Sequence, residues 1–114
     1  MARAFPLGIL AVLWSAHALA AELPELDILE LCKPVAREEA AKWSQRMQRP
    51  QEQLLESAYT ICLHREAEAR RDARWRLRML GENDQETCIA HGIAAGTYTA
   101  IGYCLDKFTG PLRG

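Results

Sequence analysis

The sequence predicts a small all-α domain, a disulfide-stapled bundle of about four helices. Three observations lead to this fold class. Apolar residues recur at three- and four-residue steps along most of the chain, and alternating strand patterns are nearly absent. Glycine, proline and capping residues divide the chain into four periodic segments. The 114 residues include four cysteines, and an even set in a small exported chain is typical of two disulfides.

The first 20 residues have the form of a cleavable export signal. Arg3 gives a positive start, residues 5–14 are mostly apolar, and Ala18-Leu19-Ala20 is a small-x-small cleavage site. A membrane anchor needs about 20 apolar residues, so this run is too short to be one. We expect a helical domain at residues 21–109, a flexible tail at 110–114, and a location in the periplasm or outside the cell.

The predicted first helix begins at Leu23-Pro24-Glu25, because proline suits the first helical turn. Its apolar stripe is Leu26, Leu29, Cys32, Ala36, Ala40, Trp43 and Met47. Pro34 lacks an N–H and clashes with the preceding turn, so we expect a kink or restart near Lys33. Arg49-Pro50 closes the segment.

The predicted second helix runs from about residue 51 to residue 80 and has two contrasting faces. Its apolar face is Leu55, Ala58, Tyr59, Cys62, Ala69, Ala73, Leu77 and Leu80. The opposite face carries His64, Arg71, Arg74 and Arg78. Gly81 occupies the position of a glycine that ends a helix.

Two shorter helices complete the predicted bundle. Asn83 followed by Glu86 resembles a capping box, which predicts a third helix to about Ala95. Gly96-Thr97 then combines a helix end with a new N-cap. The stripe of the fourth helix is Tyr98, Ile101, Leu105 and Phe108. Gly110-Pro111 ends it.

Helix geometry predicts the disulfide pairing. Helices joined by short turns are antiparallel, so residues equidistant from a turn face each other. Cys88 and Cys104 are each eight residues from the glycine of the last turn, and Cys32 and Cys62 are roughly symmetric about residues 48–50. Pairing Cys62 with Cys88 would leave them about ten residues out of register, roughly 15 Å, whereas a disulfide needs Cα atoms within about 7 Å. We therefore expect Cys32–Cys62 and Cys88–Cys104.

The chain resembles a group of small exported proteins of Proteobacteria, most of which have no assigned activity. Their pattern is a leading Cys, a Cys-x-x-x-Glu motif, a Trp, a further Cys and a Ser/Thr-Tyr-x-x-Leu-x-x-Cys-Leu ending. Here the matching residues are Cys32, Cys62 with Glu66, Trp75, Cys88, and Thr97-Tyr98 through Ile101 to Cys104-Leu105. The resemblance implies the helical fold and the disulfides and carries no activity. The chain departs from the pattern at Pro34 and in its long first helix. A weaker likeness is to periplasmic lysozyme-inhibitor-like domains.

Charge and motifs argue against several functions. Signal cleavage removes one of the 14 Lys and Arg residues and none of the 15 Asp and Glu residues, and the resulting net charge of −2 argues against a nucleic-acid binder. Cys88 and His91 are one turn apart, but zinc needs about four ligands. Glu38 and Glu39 are adjacent, so they point in different directions on a helix. No Cys-x-x-Cys pair, Gly-x-Ser-x-Gly elbow or phosphate loop occurs. We expect a protein without cofactor, catalysis or stable membrane insertion.

The candidate binding residues lie on the second helix and are His64, Arg71, Arg74, Trp75 and Arg78. The arginines have two interpretations: pairing with the acidic start of the first helix on a solvated face, or docking of an acidic protein or anionic envelope polymer. Trp75 either packs on a later helix or is an exposed interface anchor. We predict a non-catalytic periplasmic binding or accessory protein that recognises an envelope protein. The alternatives are an inhibitor or immunity protein against a lytic enzyme, a structural or stress-related accessory component without a tight partner, and a small metal carrier or enzyme.

Overall fold

A computed structural model describes residues 22–110 and shows an all-α fold, which confirms the predicted fold class. The helices are α1 (Ile28–Met47), α2 (Gln51–Arg76), α3 (Glu82–Ala95) and α4 (Tyr98–Thr109), with a 3₁₀ turn at Leu77–Met79 after α2. None of the helices in the described range is long and apolar enough to cross a membrane. The predicted signal peptide and residues 111–114 of the predicted tail lie outside the described residues.

Helices α1 and α2 form an antiparallel hairpin whose contact is lined by small side chains. Its core cluster consists of Ala36, Ala40, Leu54 and Ala58, with Trp43 and Tyr59 partly buried against it. Short alanine side chains allow the two helix backbones to approach closely. The predicted Cys32–Cys62 disulfide is confirmed and joins the hairpin across a Cα–Cα distance of 5.7 Å.

Helices α3 and α4 form a second antiparallel hairpin, and the predicted turn between them is confirmed. Gly96 has a positive φ of 75°, a conformation that glycine adopts without strain. The Thr97 hydroxyl then accepts a hydrogen bond of 2.9 Å from the Ala100 N–H, as an N-cap does. The predicted Cys88–Cys104 disulfide is also confirmed, with a Cα–Cα distance of 5.4 Å.

Helix α4 packs along the second half of α2 and forms the larger core cluster with it. The buried members of this cluster are Ala73, Leu77, Cys88, Tyr98, Ile101, Cys104 and Leu105. Residues 22–27, which precede α1, contribute Leu23 and Leu26 to the same cluster. The described residues therefore form two hydrophobic cores, one packed against the first half of α2 and the other against its second half.

The start and the course of α1 differ from the prediction. The helix begins at Ile28 and not at Leu23-Pro24-Glu25, with Asp27 as its N-cap accepting a 3.1 Å hydrogen bond from the Glu30 N–H. The preceding residues stay outside the helix because they pack on α4. No restart occurs near Lys33, since α1 continues through Pro34. The buried residues Cys32 and Ala36, on either side of the proline, hold this part of the helix against α2.

The junction between α2 and α3 also differs from the prediction. Gly81 has φ of −66° and is the N-cap of α3, so it does not end α2 as a left-handed glycine would. Helix α3 begins at Glu82, which removes Asn83 from the cap position. The Gln85 side chain instead donates a 2.9 Å hydrogen bond to the Leu80 carbonyl. This hydrogen bond stabilises the connection between α2 and α3 in place of the expected Asn83–Glu86 capping box.

The buried stripes of the first hairpin are narrower than the sequence predicts. On α2, Leu54 is buried whereas Leu55 is 37% exposed. On α1, Leu29 and Met47 belong to the predicted stripe yet are more than half exposed. The reason is that α1 packs mainly on α2. A helix with one neighbour buries a narrower strip than a helix surrounded by several.

Candidate functional site

The outer side of α2 brings the predicted binding residues to the surface. Arg71 and Arg74 of α2 and Arg78 of the 3₁₀ turn that follows it are exposed. They are three and four residues apart, which places them on the same side. Trp75 lies one turn after Arg71 on the same side and is 48% exposed. We refer to Arg71, Arg74, Trp75 and Arg78 as the arginine face. It points away from α4, which covers the opposite side of α2.

The arginine face does not take part in the internal charge pairing that the sequence left open. Of the neighbouring arginines, Arg70 pairs with Glu25 at 2.8 Å, the contact expected between the second helix and the acidic start of the chain. The guanidinium groups of Arg71, Arg74 and Arg78 form no ion pair or hydrogen bond within residues 22–110. They are therefore available to an external partner.

An exposed methionine extends this surface beyond the residues that the sequence identified. Met79 lies four residues after Trp75 and is 57% exposed. It lies in the 3₁₀ turn after α2, and it belongs neither to the predicted apolar stripe nor to the predicted basic face. Together with Trp75 it places apolar area beside the three arginines.

His64 lies at the margin of the arginine face. Its side chain is 73% exposed, and Nε2 is 3.0 Å from the carboxylate of Glu68, one turn further along. Seven residues separate it from Arg71, which corresponds to about 10 Å along the helix axis. His64 therefore extends the polar surface of α2 without joining the three arginines in one cluster.

Glu66 is buried and has a structural role that the sequence pattern did not reveal. One carboxylate oxygen accepts a 2.6 Å hydrogen bond from the Tyr98 N–H, and the other accepts one from the Thr99 hydroxyl. Both donors belong to the first turn of α4. A helix N-terminus carries unsatisfied N–H groups and partial positive charge, which a carboxylate complements. The glutamate of the Cys-x-x-x-Glu motif thus fixes the start of the last helix.

Arg76 performs the corresponding task at the other end of α4. Its guanidinium is buried, and Nη2 donates to the Asp106 carboxylate at 2.8 Å, the Thr109 hydroxyl at 2.8 Å and the Gly110 carbonyl at 3.0 Å. A cation complements the negative end of a helix. Because Glu66 and Arg76 hold the start and the end of α4 respectively, α4 runs parallel to α2.

A detectable sequence signal exists for both buried charges. Glu66 lies one turn after Cys62, and Arg76 lies one turn after Ala73, so both fall on the apolar stripe of α2. A charged residue on such a stripe is buried only where it has a partner, and otherwise it remains exposed to solvent. The sequence alone does not supply the partner, which in both cases is more than 29 residues away.

Tyr98 ties the segment before α1 to the rest of the domain. Its hydroxyl donates to the Pro24 carbonyl at 2.8 Å and accepts from the Leu26 N–H at 3.0 Å. The guanidinium of Arg70 lies over the Tyr98 ring, 5.8 Å from its centroid. Tyr98, followed by Glu25, raises the pKa of Arg70 above its ordinary value. The helix that carries the arginine face is therefore fixed on its inner side by the contacts of Glu66, Arg70 and Arg76.

The cysteines that the sequence raised as possible metal ligands are oxidised in the structure. All four cysteines are in disulfides, so the Cys88 thiol that the sequence placed near His91 is not free to ligate a metal. Within residues 22–110 there is no cluster of three or more histidine, cysteine or acidic side chains arranged to hold a metal ion. The two disulfides indicate an oxidising compartment outside the cytoplasm.

Comparisons of the whole chain with protein-family models, curated proteins and solved structures found no match.

Proposed function

We propose that this chain is a non-catalytic binding protein of the periplasm that docks an acidic surface of an envelope protein on its arginine face. The observation that carries the proposal is the set of three exposed arginines with no partner inside residues 22–110, next to a half-exposed tryptophan. Export to the periplasm is supported by the signal-like start of the sequence and by the two disulfides.

The composition of the surface favours a protein as the partner. Arginine, tryptophan and methionine are enriched in protein interfaces, and the surface combines the arginine face with Met79. A guanidinium offers forked donors that match carboxylates, so aspartate and glutamate side chains are the expected contacts. Because Glu66 and Arg76 hold α2 against α4, the helix that carries the face is fixed in position before binding, which lowers the entropic cost of association.

Charge reversal of the face tests the proposal. The triple variant R71E/R74E/R78E should capture the acidic partner from periplasmic extract at least tenfold less well than the natural chain. Capture by the natural chain should also weaken as salt rises, because exposed charges are screened. The matched control is R46E/R49E/K107E, which changes net charge equally at exposed positions elsewhere and should capture normally.

Two further measurements separate the possible outcomes. Trp75→Ala keeps all charges, and loss of capture in this variant indicates an aromatic contact at an interface centre. Vesicles with anionic lipids provide the other test, since an arginine face that binds vesicles and no protein is a membrane contact and contradicts the proposal.

Unchanged capture by R71E/R74E/R78E, with unchanged helicity, would assign the arginines to solvation. If the captured protein is a lytic enzyme, loss of its activity on binding identifies the inhibitor or immunity subclass.

A further inference from the structure

A groove between α1 and α2 lies in the first hairpin, apart from the arginine face. Its volume is about 330 Å³, near the lower end of the range of about 300–1,000 Å³ for small-molecule sites. The apolar part of its lining is Ala36, Leu55 and Tyr59. Ala36 is almost fully buried, and its short side chain leaves the space that the larger two residues border.

The two walls of the groove carry opposite charges. Lys33 and Arg37, one turn apart, line the α1 side, while Glu52 and Glu56, also one turn apart, line the α2 side. Lys33 hydrogen-bonds to Glu30 at 3.0 Å, a contact that raises the pKa of Lys33.

The other three charged groups of the walls are unengaged. The Arg37 guanidinium and the carboxylates of Glu52 and Glu56 form no ion pair or hydrogen bond within residues 22–110. The groove therefore holds a cation and two anions that do not neutralise one another across it.

Covalent and polar links fix the spacing of the walls. The Cys32–Cys62 disulfide joins α1 and α2 immediately before Lys33. Further along, the Gln51 amide donates to the Arg37 backbone carbonyl at 3.3 Å. A groove that is held open before binding needs little rearrangement to take a ligand.

We propose that this groove binds a short peptide with free termini and an apolar side chain. The terminal carboxylate pairs with Arg37, the terminal ammonium pairs with Glu52 and Glu56, and the side chain contacts Leu55 and Tyr59. A ligand with only negative charge would meet the glutamates, and one with only positive charge would meet the α1 wall. A zwitterion avoids both like-charge contacts, which is how charge patterns select a ligand.

Titration of the natural chain with the dipeptide leucyl-leucine, followed by NMR, tests this site. The amide signals of Leu55 and Tyr59 should shift and saturate at millimolar peptide. Acetylating the peptide amine or amidating its carboxyl should each weaken binding at least tenfold, because each removes one charge-assisted contact.

Variants assign the contacts and keep the site separate from the arginine face. Arg37→Gln should weaken binding of the free dipeptide at least tenfold, and amidating the peptide carboxyl should then have little further effect. E52Q/E56Q should also weaken binding of the free dipeptide at least tenfold, and acetylating the peptide amine should then have little further effect. R71E/R74E/R78E should bind the dipeptide normally, so failure of the partner proposal leaves this one standing. Absence of a saturable shift, or equal binding of free and capped peptides, would overturn the proposal. The first result would mean that the groove holds no peptide, and the second that it is only an apolar surface.

Discussion

Replacing Glu66 by alanine should destabilise the domain more than any other single change to an acidic residue of α2. Glu66 is 4% exposed and accepts two hydrogen bonds from the first turn of α4. Removing it leaves the Tyr98 N–H without its acceptor, at a residue that is 1% exposed. A buried donor that loses its partner incurs the full cost of desolvation.

The magnitude follows from the two contacts. A hydrogen bond to a charged group contributes about 1.5–3 kcal/mol, and a carboxylate at a helix N-terminus contributes up to about 2 kcal/mol when partly buried. These terms overlap, so we expect Glu66→Ala to lower the free energy of unfolding by about 3–5 kcal/mol. In a domain of this size that corresponds to a drop in Tm of at least about 12 °C.

Urea unfolding with intact disulfides, followed by far-UV circular dichroism, measures this loss. Glu66→Gln keeps an acceptor oxygen and loses the charge, so it should lie between the natural chain and Glu66→Ala. Glu68→Ala is the surface control, since its exposed contact with His64 should contribute no more than about 0.5 kcal/mol. A loss below about 1 kcal/mol for Glu66→Ala would refute the reasoning that α2 fixes the start of α4.

Two other pairs of variants test the packing of α4. Gly92→Ala should destabilise the domain by about 1–3 kcal/mol, because the new Cβ would lie 2.3 Å from Cγ1 of the buried Ile101. A Cβ added at Gly102 would meet nothing within 4 Å, so Gly102→Ala should instead stabilise the helix by about 0.5–1 kcal/mol in the same urea assay. A loss of stability at Gly102 as large as that at Gly92 would contradict the packing argument. Arg76→Ala should cost about 1.5–3 kcal/mol because it removes the charged hydrogen bonds that a buried guanidinium donates to the end of α4, whereas Arg78→Ala should stay within about 0.5 kcal/mol. Equal losses for the two arginines would contradict their different burial.

The features that the sequence predicted correctly depend on short-range signals or on symmetry. Gly96 and Thr97 mark the last turn because one residue favours a positive φ and the next is a good N-cap. Both disulfides followed from the symmetry of antiparallel helices about a short turn. Neither inference needs knowledge of how the two hairpins pack on each other.

The errors occur where distant residues decide local structure. The sequence at Leu23-Pro24-Glu25 is suited to a helix start, but Tyr98 holds this segment by hydrogen bonds to Pro24 and Leu26. Pro34 does not break α1, because packing on α2 outweighs the loss of one helical hydrogen bond. Both outcomes depend on contacts between residues that are distant in the sequence, and the residue pattern of one segment does not predict such contacts.

The arginine face was identified in part from the sequence. Helical spacing places Arg71, Arg74 and Arg78 together, but spacing does not decide which arginines are paired internally. The structure assigns Arg70 to Glu25 and Arg76 to Asp106, and leaves the other three without an internal partner among the described residues. The distinction depends on the direction of α4 along α2, which is a tertiary property.

Site-specific photo-crosslinking in living cells tests the central claim most directly. A photoreactive amino acid with an aromatic side chain, which keeps a ring at position 75 in place of Trp75, should form an adduct with one acidic envelope protein. R71E/R74E/R78E in the same chain should abolish that adduct. Tyr103 is the control position, because it is 68% exposed and lies on α4, on the other side of α2. An adduct from position 75 that is absent from position 103 is the result we predict. Absence of any adduct at position 75, or the same adduct from both positions, would contradict a docking role for the arginine face.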